Sequence, residues 1–337
     1  MTRTFLTEGK AARCLVCPHS CLLHEGRKGI CGVRANQGGE IKLLTDGVLS
    51  SISLDPIEKK PLYHFYPGSM ILSIGSFGCN MRCDFCQNWH ISSRESMIDG
   101  QRTDPSKIID KAISTENNIG IAYTYNEPVI WYEFVKKVGL LAMEAGLKNV
   151  MVSNGFVSDH ILDDYLNFID AFNIDLKAFN EKFYRDVAGA DLGEVKKSLG
   201  VIARSGRHLE ITTLVIPGLN DSADEMKEEV NWISNELGSE VPFHLSRYFP
   251  MHERSTPMTP SAKLEELYSI AADKLRYVYL GNIRSDKGES TRCPSCGTVV
   301  TSRSGYITTH RNIENGFCSV CGHRVYRDFI FSPLKRN

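Results

Sequence analysis

The sequence predicts an α/β fold in which a partial (β/α)6 barrel, similar to a TIM barrel, carries a cysteine-rich module at each end. The first observation behind this prediction is the alternation of apolar strand patterns with amphipathic helical patterns from Met70 to Ile283. The second is that the 11 cysteines fall into three separate groups. We therefore divide the chain into an N-terminal four-cysteine module with a hairpin and connector over 1–68, a barrel over 69–284 and a zinc-ribbon module over 285–337.

The composition is that of a globular protein, with 42% hydrophobic and 23% charged residues. A formal net charge of -1 provides no basic field, so nucleic acid is not indicated as a partner. The sequence has no apolar run typical of a signal peptide or a membrane span, so we expect no membrane association and a cytoplasmic location. In that reducing compartment the cysteines are expected to bind metals instead of forming disulfides.

The first cysteine group predicts a compact metal module formed by Cys14, Cys17, Cys21 and Cys31. Four thiolates suit zinc or a second iron-sulfur cluster, and the spacing favours zinc because it does not match ferredoxin motifs. Buried free thiols are the remaining alternative. Segments 41–45 and 48–54 then flank an Asp-Gly pair, which is typical of a β-hairpin. The irregular, aromatic stretch 55–65 is interpreted as a connector or lid across the barrel mouth, or equally as a packed linker.

Seven strands and six intervening helices are predicted for the barrel. The strands are expected at 71–74, 119–123, 149–153, 171–175, 209–215, 243–247 and 277–280. The helices are expected at 106–116, 129–145, 159–168, 193–205, 224–237 and 261–274. Such alternation implies right-handed βαβ crossovers and a parallel sheet, so functional residues are expected at the carboxyl ends of the strands.

The central cysteine group lies in a short loop after the first barrel strand. Cys79, Cys83 and Cys86 follow a CxxxCxxC spacing, and three soft ligands so close together suit an iron-sulfur cluster. A 4Fe-4S cluster needs four ligands, so one iron is left open for the amino and carboxylate groups of S-adenosylmethionine (SAM). An electron from such a cluster would break the S–C5′ bond of SAM and release methionine and a 5′-deoxyadenosyl radical. The alternatives are a zinc loop without its fourth ligand, or structural thiols.

This loop resembles that of the radical SAM superfamily in its spacing, in the aromatic Phe85 before the last cysteine and in the preceding strand. The resemblance implies that Phe85 and Asn88 belong to the cofactor site. It also makes Glu127 a candidate to accept a hydrogen bond from the ammonium group of SAM. The alternative is that the Glu-Pro pair is only an ordinary helix start. Radical SAM proteins often have Gly-Gly-Glu-Pro here, whereas this chain has Tyr-Asn-Glu-Pro over 125–128.

Further candidates follow the later strands. Ser153 and Asn154 suit the ribose hydroxyls of SAM, although a plain turn explains the same residues. Lys177 is a candidate partner of the SAM carboxylate, the alternative being an ion pair with Asp175 that closes the barrel rim.

Two more candidates lie on strands five and six. Val215 is a candidate for the surface beneath the adenine, and core packing accounts for it equally well. His244 is placed near the nucleoside and Arg247 toward the substrate, although a lone histidine on an apolar strand is more often a core residue.

The last cysteine group predicts a zinc ribbon. Cys293, Cys296, Cys318 and Cys321 form two CxxCG knuckles, with a short hairpin expected around Gly305-Tyr306-Ile307. Rubredoxin-like iron is the alternative metal. A closed four-thiolate site has no open coordination position, so its role is expected to be folding or docking.

Over roughly residues 70–250 these motifs resemble the activating enzymes of glycyl-radical enzymes, such as the pyruvate formate-lyase activating enzyme. Over the whole chain the sequence is similar to the radical SAM proteins of the AmmeMemoRadiSam system, including the cysteine pattern before Arg34, the stretch 55–65 and the Gln-Asn-Trp that follows Cys86. These resemblances imply an oxidoreductase that abstracts hydrogen and receives electrons from a low-potential donor such as flavodoxin or ferredoxin. They also imply co-occurrence with Memo-like and AMMECR-like proteins.

Three functions can be considered for this chain. The target of hydrogen abstraction is a protein, as in glycyl-radical activation, or it is a small metabolite or modified nucleotide. The third possibility, a metal-bound scaffold without activity, does not explain the three-cysteine loop together with Glu127.

Overall fold

The computed structural model describes residues 2–94, 96, 98–100, 102–285 and 287–330. Two small antiparallel sheets precede the barrel. Strands β1 (Phe5–Glu8), β2 (Ala11–Cys14) and β3 (Leu22–Leu23) form the first sheet, and β4 (Arg34–Gln37) and β5 (Glu40–Leu43) form the second. None of the helices in the described ranges is long and apolar enough to cross a membrane.

The barrel is a sheet of eight strands whose order in space follows their order in the chain. The strands are β6 (Ser51–Pro56), β7 (Met70–Gly75), β8 (Asn118–Tyr123), β9 (Lys148–Ser153), β10 (Ala171–Asp175), β11 (His208–Val215), β12 (Phe243–Arg247) and β13 (Val278–Gly281). Strands β7 to β13 are parallel, and β6 pairs antiparallel with β7. The predicted partial barrel of six βα units is confirmed, with β6 as an additional edge strand.

The helices are α1 (Trp89–Ser92), α2 (Pro105–Ser114), α3 (Tyr132–Glu144), α4 (Asp159–Tyr165), α5 (Glu181–Phe183), α6 (Leu192–Arg204), α7 (Ala223–Trp232) and α8 (Ser261–Ala272). Four of them begin after a residue whose side chain accepts a hydrogen bond from the first helical turn. Asp104, Asn180, Asp191 and Ser222 accept from the backbone N–H groups of Ser106, Phe183, Glu194 and Glu225, respectively. The short helix α1 follows the three-cysteine loop.

The predicted hairpin around Asp46-Gly47 is wrong. A turn is present there, because Gly47 has a φ of 77° and Val48 N donates to Thr45 O. The flanking segments do not pair with each other, because β5 pairs with the preceding strand β4 and β6 pairs with β7 at the edge of the barrel. A turn signal is local, whereas the pairing partner of a strand depends on which sheet edge lies beside it.

The stretch after β6 fills the inside of the barrel and does not cover its mouth. Ile57, Leu62 and Phe65 are buried against residues of β7 to β10, including Ile71 and Val150. Pro61 O accepts from Asn173 Nδ2 in the middle of β10, at 2.8 Å. The interpretation as a lid is therefore wrong, and the alternative of a packed linker is correct. This linker forms the floor beneath the cavity at the carboxyl ends of the strands.

The C-terminal ribbon packs beside β13 and shares a core with the barrel. It contains β14 (Thr291–Arg292), β15 (Val299–Ser304), β16 (Ile307–His310), β17 (Ile313–Glu314) and β18 (Phe317–Cys318), and the predicted hairpin is the β15–β16 pair. Tyr277 and Tyr279 at the last barrel strand are buried with Val300 and Tyr326 of the ribbon. Arg303 Nη2 donates to Tyr63 O at 2.9 Å, so the ribbon also holds the linker in place.

A buried carboxyl group beneath β11 makes the stability of the fold depend on pH. Thr213 Oγ1 lies 2.7 Å from Leu176 O and 2.6 Å from Glu229 Oε1. The hydroxyl has one proton and can satisfy only one of these acceptors, so the second contact favours a protonated Glu229. Burial raises the pKa of Glu229 to about 8.

We expect the free energy of unfolding of Glu229→Gln to decrease less steeply with rising pH than that of the wild type. In the wild type the folded state retains a proton on Glu229 that the unfolded state releases above its ordinary pKa of 4.5. Stability should therefore fall by roughly 1.4 kcal/mol per pH unit between that value and about 8, and level off above it. Urea unfolding from pH 5 to 9 measures this slope, with the exposed neighbour Glu228→Gln as the control. Equal slopes in wild type and Glu229→Gln would contradict the assignment.

Candidate functional site

The carboxyl ends of the barrel strands open into one cavity of about 2620 Å³. It is lined by all but one of the side chains predicted for the barrel site: Cys79, Cys83, Phe85, Cys86, Asn88, Glu127, Ser153, Asn154, Asp175, Lys177 and His244. These residues lie on or directly after five strands, β7, β8, β9, β10 and β12. The fold therefore brings together side chains that are far apart in sequence.

The three-cysteine loop is clamped to its surroundings at several points. Asp84 receives two hydrogen bonds from the guanidinium of Arg254, at 3.0 and 2.6 Å. Asn154 Nδ2 donates to Asn80 Oδ1 at 2.8 Å and lies 3.7 Å from the sulfur of Cys79. The loop is thus held by an ion pair on one side and by the end of β9 on the other.

Asn126 is a supporting residue whose role was not predicted from the sequence. Its Oδ1 accepts from Ser76 N at 2.9 Å, and its Nδ2 donates to Gly78 O at 3.0 Å. Both contacts hold the backbone that leads into Cys79. The preceding Tyr125 has a φ of 71°, a conformation that glycine adopts readily and that is uncommon for tyrosine. The left-handed turn thus forms although the glycine often found at this position is a tyrosine.

We expect Asn126→Ala to destabilise the protein by about 1–3 kcal/mol, because two buried backbone groups lose their partners. The loop before Cys79 should also become less ordered, so the reconstituted protein should lose bound iron faster during gel filtration. The exposed Asn167→Ala is a matched control, since the side chain of this asparagine donates only to the carbonyl of Asp163 in the preceding helix α4, at 3.2 Å, among the described residues. Iron retention equal to that of the control would contradict this role.

Glu127 is buried and already accepts three hydrogen bonds. Its Oε1 accepts from Val129 N at 3.0 Å and from Ser153 Oγ at 2.7 Å, and its Oε2 accepts from Asn154 N at 2.8 Å. A carboxylate offers roughly four acceptor positions, so one is left for a ligand in the cavity. Burial raises the pKa of Glu127 to about 7, and the hydrogen bonds counteract part of this rise. The arrangement suits a carboxylate that receives a cationic ligand.

Asp175 and Lys177 form an ion pair at the end of β10, with Lys177 Nζ 2.9 Å from Asp175 Oδ2. Both side chains line the cavity. Burial lowers the pKa of Lys177, but the charges of Asp175 and Cys83 outweigh this effect and leave the pKa above its ordinary value. Lys177 is therefore cationic beside the thiol of Cys83, where it can offset negative charge.

The placement of Val215 beneath an adenine is wrong. Thr212 and Leu214 of β11 line the cavity, and alternation along the strand directs Val215 to the opposite face. There Val215 is fully buried in the main core, as the alternative of core packing expected. Leu214 is the residue of this strand end that can contact a ligand.

His244 lines the cavity but belongs to a buried cluster at its floor. Its Nε2 lies 2.6 Å from Glu210 Oε2, and its ring stacks on Tyr279 at 5.2 Å between centroids. Arg247, at the end of the same strand, also lines the cavity, and its Nε donates to Thr259 O at 2.7 Å. His244 is thus already hydrogen-bonded, whereas the rim position of Arg247 leaves it beside the cavity opening.

Glu210 is the partner of His244 and was not identified from the sequence. It is fully buried inside the barrel and accepts from the backbone N–H groups of Tyr63 and His64, at 3.0 and 2.7 Å. His208 Nε2 lies 2.9 Å from its Oε1. Burial alone would raise the pKa of Glu210, but the hydrogen bonds from both histidines hold it below its ordinary value. An acidic residue within an apolar strand was the signal that could have revealed it.

The three central thiols fit a cluster better than a single metal ion. In the described chain, the ribbon cysteines are the only group of three or more metal-binding side chains close enough together to hold one ion. Cys79, Cys83 and Cys86 do not form such a group, yet all three line the same cavity. Three such thiols, with no fourth cysteine in the loop, suit a cluster that leaves one iron for another ligand.

Comparison with known proteins agrees with this geometry. The family model for the radical SAM superfamily matches residues 73–232. An uncharacterized protein of Methanocaldococcus jannaschii is 37% identical over 320 residues, covering 93% of this chain and 94% of the relative. The pyruvate formate-lyase 1-activating enzyme of Escherichia coli strain K12 is 21% identical over 183 residues, covering 52% of this chain and 72% of that enzyme.

Among solved structures, a radical SAM methyltransferase from Sphaerobacter thermophilus matches with a TM-score of 0.52 and 15% identity, covering 69% of this chain and 71% of that chain. At this level of identity the match supports the fold alone.

Proposed function

This chain belongs to the radical SAM superfamily, and we propose that it cleaves SAM reductively in order to remove a hydrogen atom from a protein target. The observation that carries this proposal is the convergence of the three-cysteine loop with Glu127 and Lys177 on one cavity. A 4Fe-4S cluster bound there would supply one electron for the reductive cleavage of SAM to methionine and an adenosyl radical, which would take a hydrogen atom from the target. Cys79, Cys83 and Cys86 would hold the cluster.

The residues around the loop have separate tasks in this proposal. The remaining acceptor position of Glu127 receives the ammonium group of the methionine moiety. Ser153 and Asn154 hold Glu127 in place, and Asn154 also orients the loop through Asn80. Lys177 forms an ion pair with the SAM carboxylate. Asp175 pairs with Lys177 and keeps the ammonium group of Lys177 directed into the cavity. Phe85 and Asn88 support the loop from beneath, since Phe85 is buried and Asn88 Nδ2 donates to Tyr125 O at 2.7 Å.

A protein target is favoured by the size of the cavity and by its rim. Pockets for small ligands typically measure about 300–1,000 Å³, so a cavity of about 2620 Å³ leaves ample room beside SAM for a segment of another chain. Trp89 and Tyr306 line the cavity and are exposed, and they come from the barrel and the ribbon. Exposed aromatic side chains are common in protein interfaces. The similarity to the pyruvate formate-lyase 1-activating enzyme, whose name indicates a protein target, points in the same direction.

A small metabolite or modified nucleotide is the second candidate target, and the polar floor of the cavity favours it. Lys60 lines this floor with its Nζ 2.8 Å from Asp55 Oδ2, and burial lowers its pKa to about 8 despite that carboxylate. A lysine in such a position can bind an anionic group. Because Asp55 already pairs with Lys60, the positive charge of Lys60 does not need a ligand to balance it.

The deciding experiment measures 5′-deoxyadenosine under anaerobic conditions. The reconstituted protein is reduced and given SAM alone, with a small-molecule extract, or with the macromolecular fraction of cells that produce it. We expect stimulation by the macromolecular fraction, and protease treatment of that fraction should remove it. Stimulation by the small-molecule extract alone would favour a metabolite. No deoxyadenosine under any of these conditions would overturn the proposed radical chemistry.

A further inference from the structure

The four N-terminal cysteines surround a small enclosed cavity of their own. Cys14, Cys17, Cys21 and Cys31 all line it, together with Arg34 and Ile130. Cys14 and Cys31 are buried, the other two are half-buried, and all four are free thiols. Four convergent, unpaired thiols around an enclosed space indicate a site for a metal group.

The ribbon provides an internal standard for the geometry of a zinc site in this chain. Tetrahedral zinc with sulfurs at about 2.3 Å requires the sulfurs to lie about 3.8 Å from one another. In the ribbon, the Cys293 and Cys321 sulfurs are 3.5 Å apart and those of Cys296 and Cys318 are 3.7 Å apart. All four ribbon sulfurs lie within 4.8 Å of one another. The ribbon is therefore preorganised for one tetrahedral ion.

The N-terminal sulfurs do not meet this standard. Within the described ranges, only the ribbon cysteines lie close enough together to hold one ion, so no three of the N-terminal sulfurs form such a group. Their spread therefore resembles that of the three central thiols and differs from that of the ribbon. A four-iron cluster places its own irons and sulfides between the thiolates and holds them roughly 6 Å apart. A shared cavity between widely spaced thiols is the arrangement that such a cluster requires.

Arg34 supplies an independent indication of a bound group. Its side chain is 1% exposed, and both of its terminal nitrogens bond to Glu133. Its Nε, in contrast, has no hydrogen-bond partner in the part of the chain that the structure describes. A buried donor without a partner is unfavourable. Because Arg34 lines the cavity, the sulfides and thiolates of a cluster would provide acceptors for this N–H group.

We propose that Cys14, Cys17, Cys21 and Cys31 hold a second 4Fe-4S cluster, and that zinc is confined to the ribbon. The metal preference that the spacing suggested is thereby reversed for the N-terminal site. With four thiolates every iron is coordinated, so this cluster has no open position for SAM. Its function is electron transfer.

The position of the N-terminal site beside the central loop supports this role. A Cβ added to Gly78 would lie 2.5 Å from Cys31 O, so the two backbones are in direct contact. Gly78 immediately precedes Cys79. His19, between two of the N-terminal cysteines, lies with its Nε2 2.7 Å from Asn80 O. The N-terminal cluster would accept one electron from a low-potential donor protein and pass it to the central cluster. This relay rests on the proposed function, whereas the cluster site does not.

A triple variant with Cys79, Cys83 and Cys86 changed to alanine tests the site without altering it. After anaerobic reconstitution we expect about four irons and about four sulfides per chain, with one zinc, and an electron paramagnetic resonance signal on reduction. The wild type should contain about eight irons. A triple variant that contains no iron and two zinc ions would overturn the proposal. This outcome does not depend on SAM cleavage, so the site and the proposed function can fail separately.

The relay is tested with a second variant, Cys17→Ala/Cys21→Ala. It should lose about half of the wild-type iron. We expect the ratio of deoxyadenosine formed with reduced flavodoxin to that formed with dithionite to fall at least tenfold relative to wild type, because dithionite reaches the central cluster directly. An unchanged ratio would overturn the relay. Circular dichroism and one zinc per chain confirm that the variant is folded.

Discussion

Cys83→Ala is expected to abolish the central cluster and to reduce deoxyadenosine formation more than about 100-fold, beyond the 10–100-fold effect of losing a group that only supports a metal ligand. Cys83 is one of three thiols in the loop, and its sulfur lies near the cation of Lys177. With only two protein ligands, the central site cannot retain a four-iron cluster. The measurement is deoxyadenosine per protein under reducing conditions, together with the iron content.

The neighbouring Gln87→Ala serves as a control for Cys83→Ala, because Gln87 lies in the same loop and is exposed. The control should retain both the iron of the central cluster and the activity. If the Cys83→Ala variant formed deoxyadenosine within tenfold of the wild-type rate, the assignment of the central cysteines would be wrong. If our inference about the N-terminal site is correct, this variant will still contain about four irons.

Glu210→Ala is expected to lower the free energy of unfolding by about 3–5 kcal/mol, as expected when one partner of a buried charged network is removed. The substitution leaves two histidine side chains and two backbone N–H groups inside the barrel without their acceptor. Because those N–H groups belong to Tyr63 and His64, the linker on the cavity floor should loosen as well. Urea unfolding of the reconstituted protein measures the loss.

Two further variants test whether the effect of Glu210→Ala comes from the loss of this buried network. Glu210→Gln retains one oxygen acceptor and nearly the same volume, so it should lose less stability than Glu210→Ala. The exposed Glu240→Ala should have little effect, because its ion pair with Arg276 is long, at 3.6 Å, and open to solvent. A Glu210→Ala protein within about 1 kcal/mol of the wild type would contradict a structural role for this network.

The barrel could be predicted from the sequence because its signals are local. The strand and helix periods in the middle of the chain depend on neighbouring residues, and the structure confirms the seven predicted strands. Most candidate residues of the cofactor site were also predictable, because parallel strands bring their carboxyl ends to one edge. Knowing where a strand ends was therefore enough to place Glu127, Ser153 and Lys177 around the same cavity.

The errors concern properties that a local pattern does not contain. Val215 was assigned to the cavity from its position at a strand end, but the face that a residue presents depends on the register of the whole strand. The turn at Asp46-Gly47 was predicted correctly, but the strands on either side of it pair with other strands and not with each other. Asn126 and Glu210 were missed because their bonds join segments that are far apart in the chain.

The sequence by itself determined the barrel, the three cysteine groups and the position of the central loop after the first barrel strand, because periodicity and spacing follow from residue order. Only the tertiary structure decided which cysteines lie close enough together to hold one ion, where the linker after β6 packs, and which buried polar atoms lack a hydrogen-bond partner among the described residues. Distances between sulfurs depend on how the backbone folds around them. Four cysteines in one module and four in another can therefore suit different metal groups.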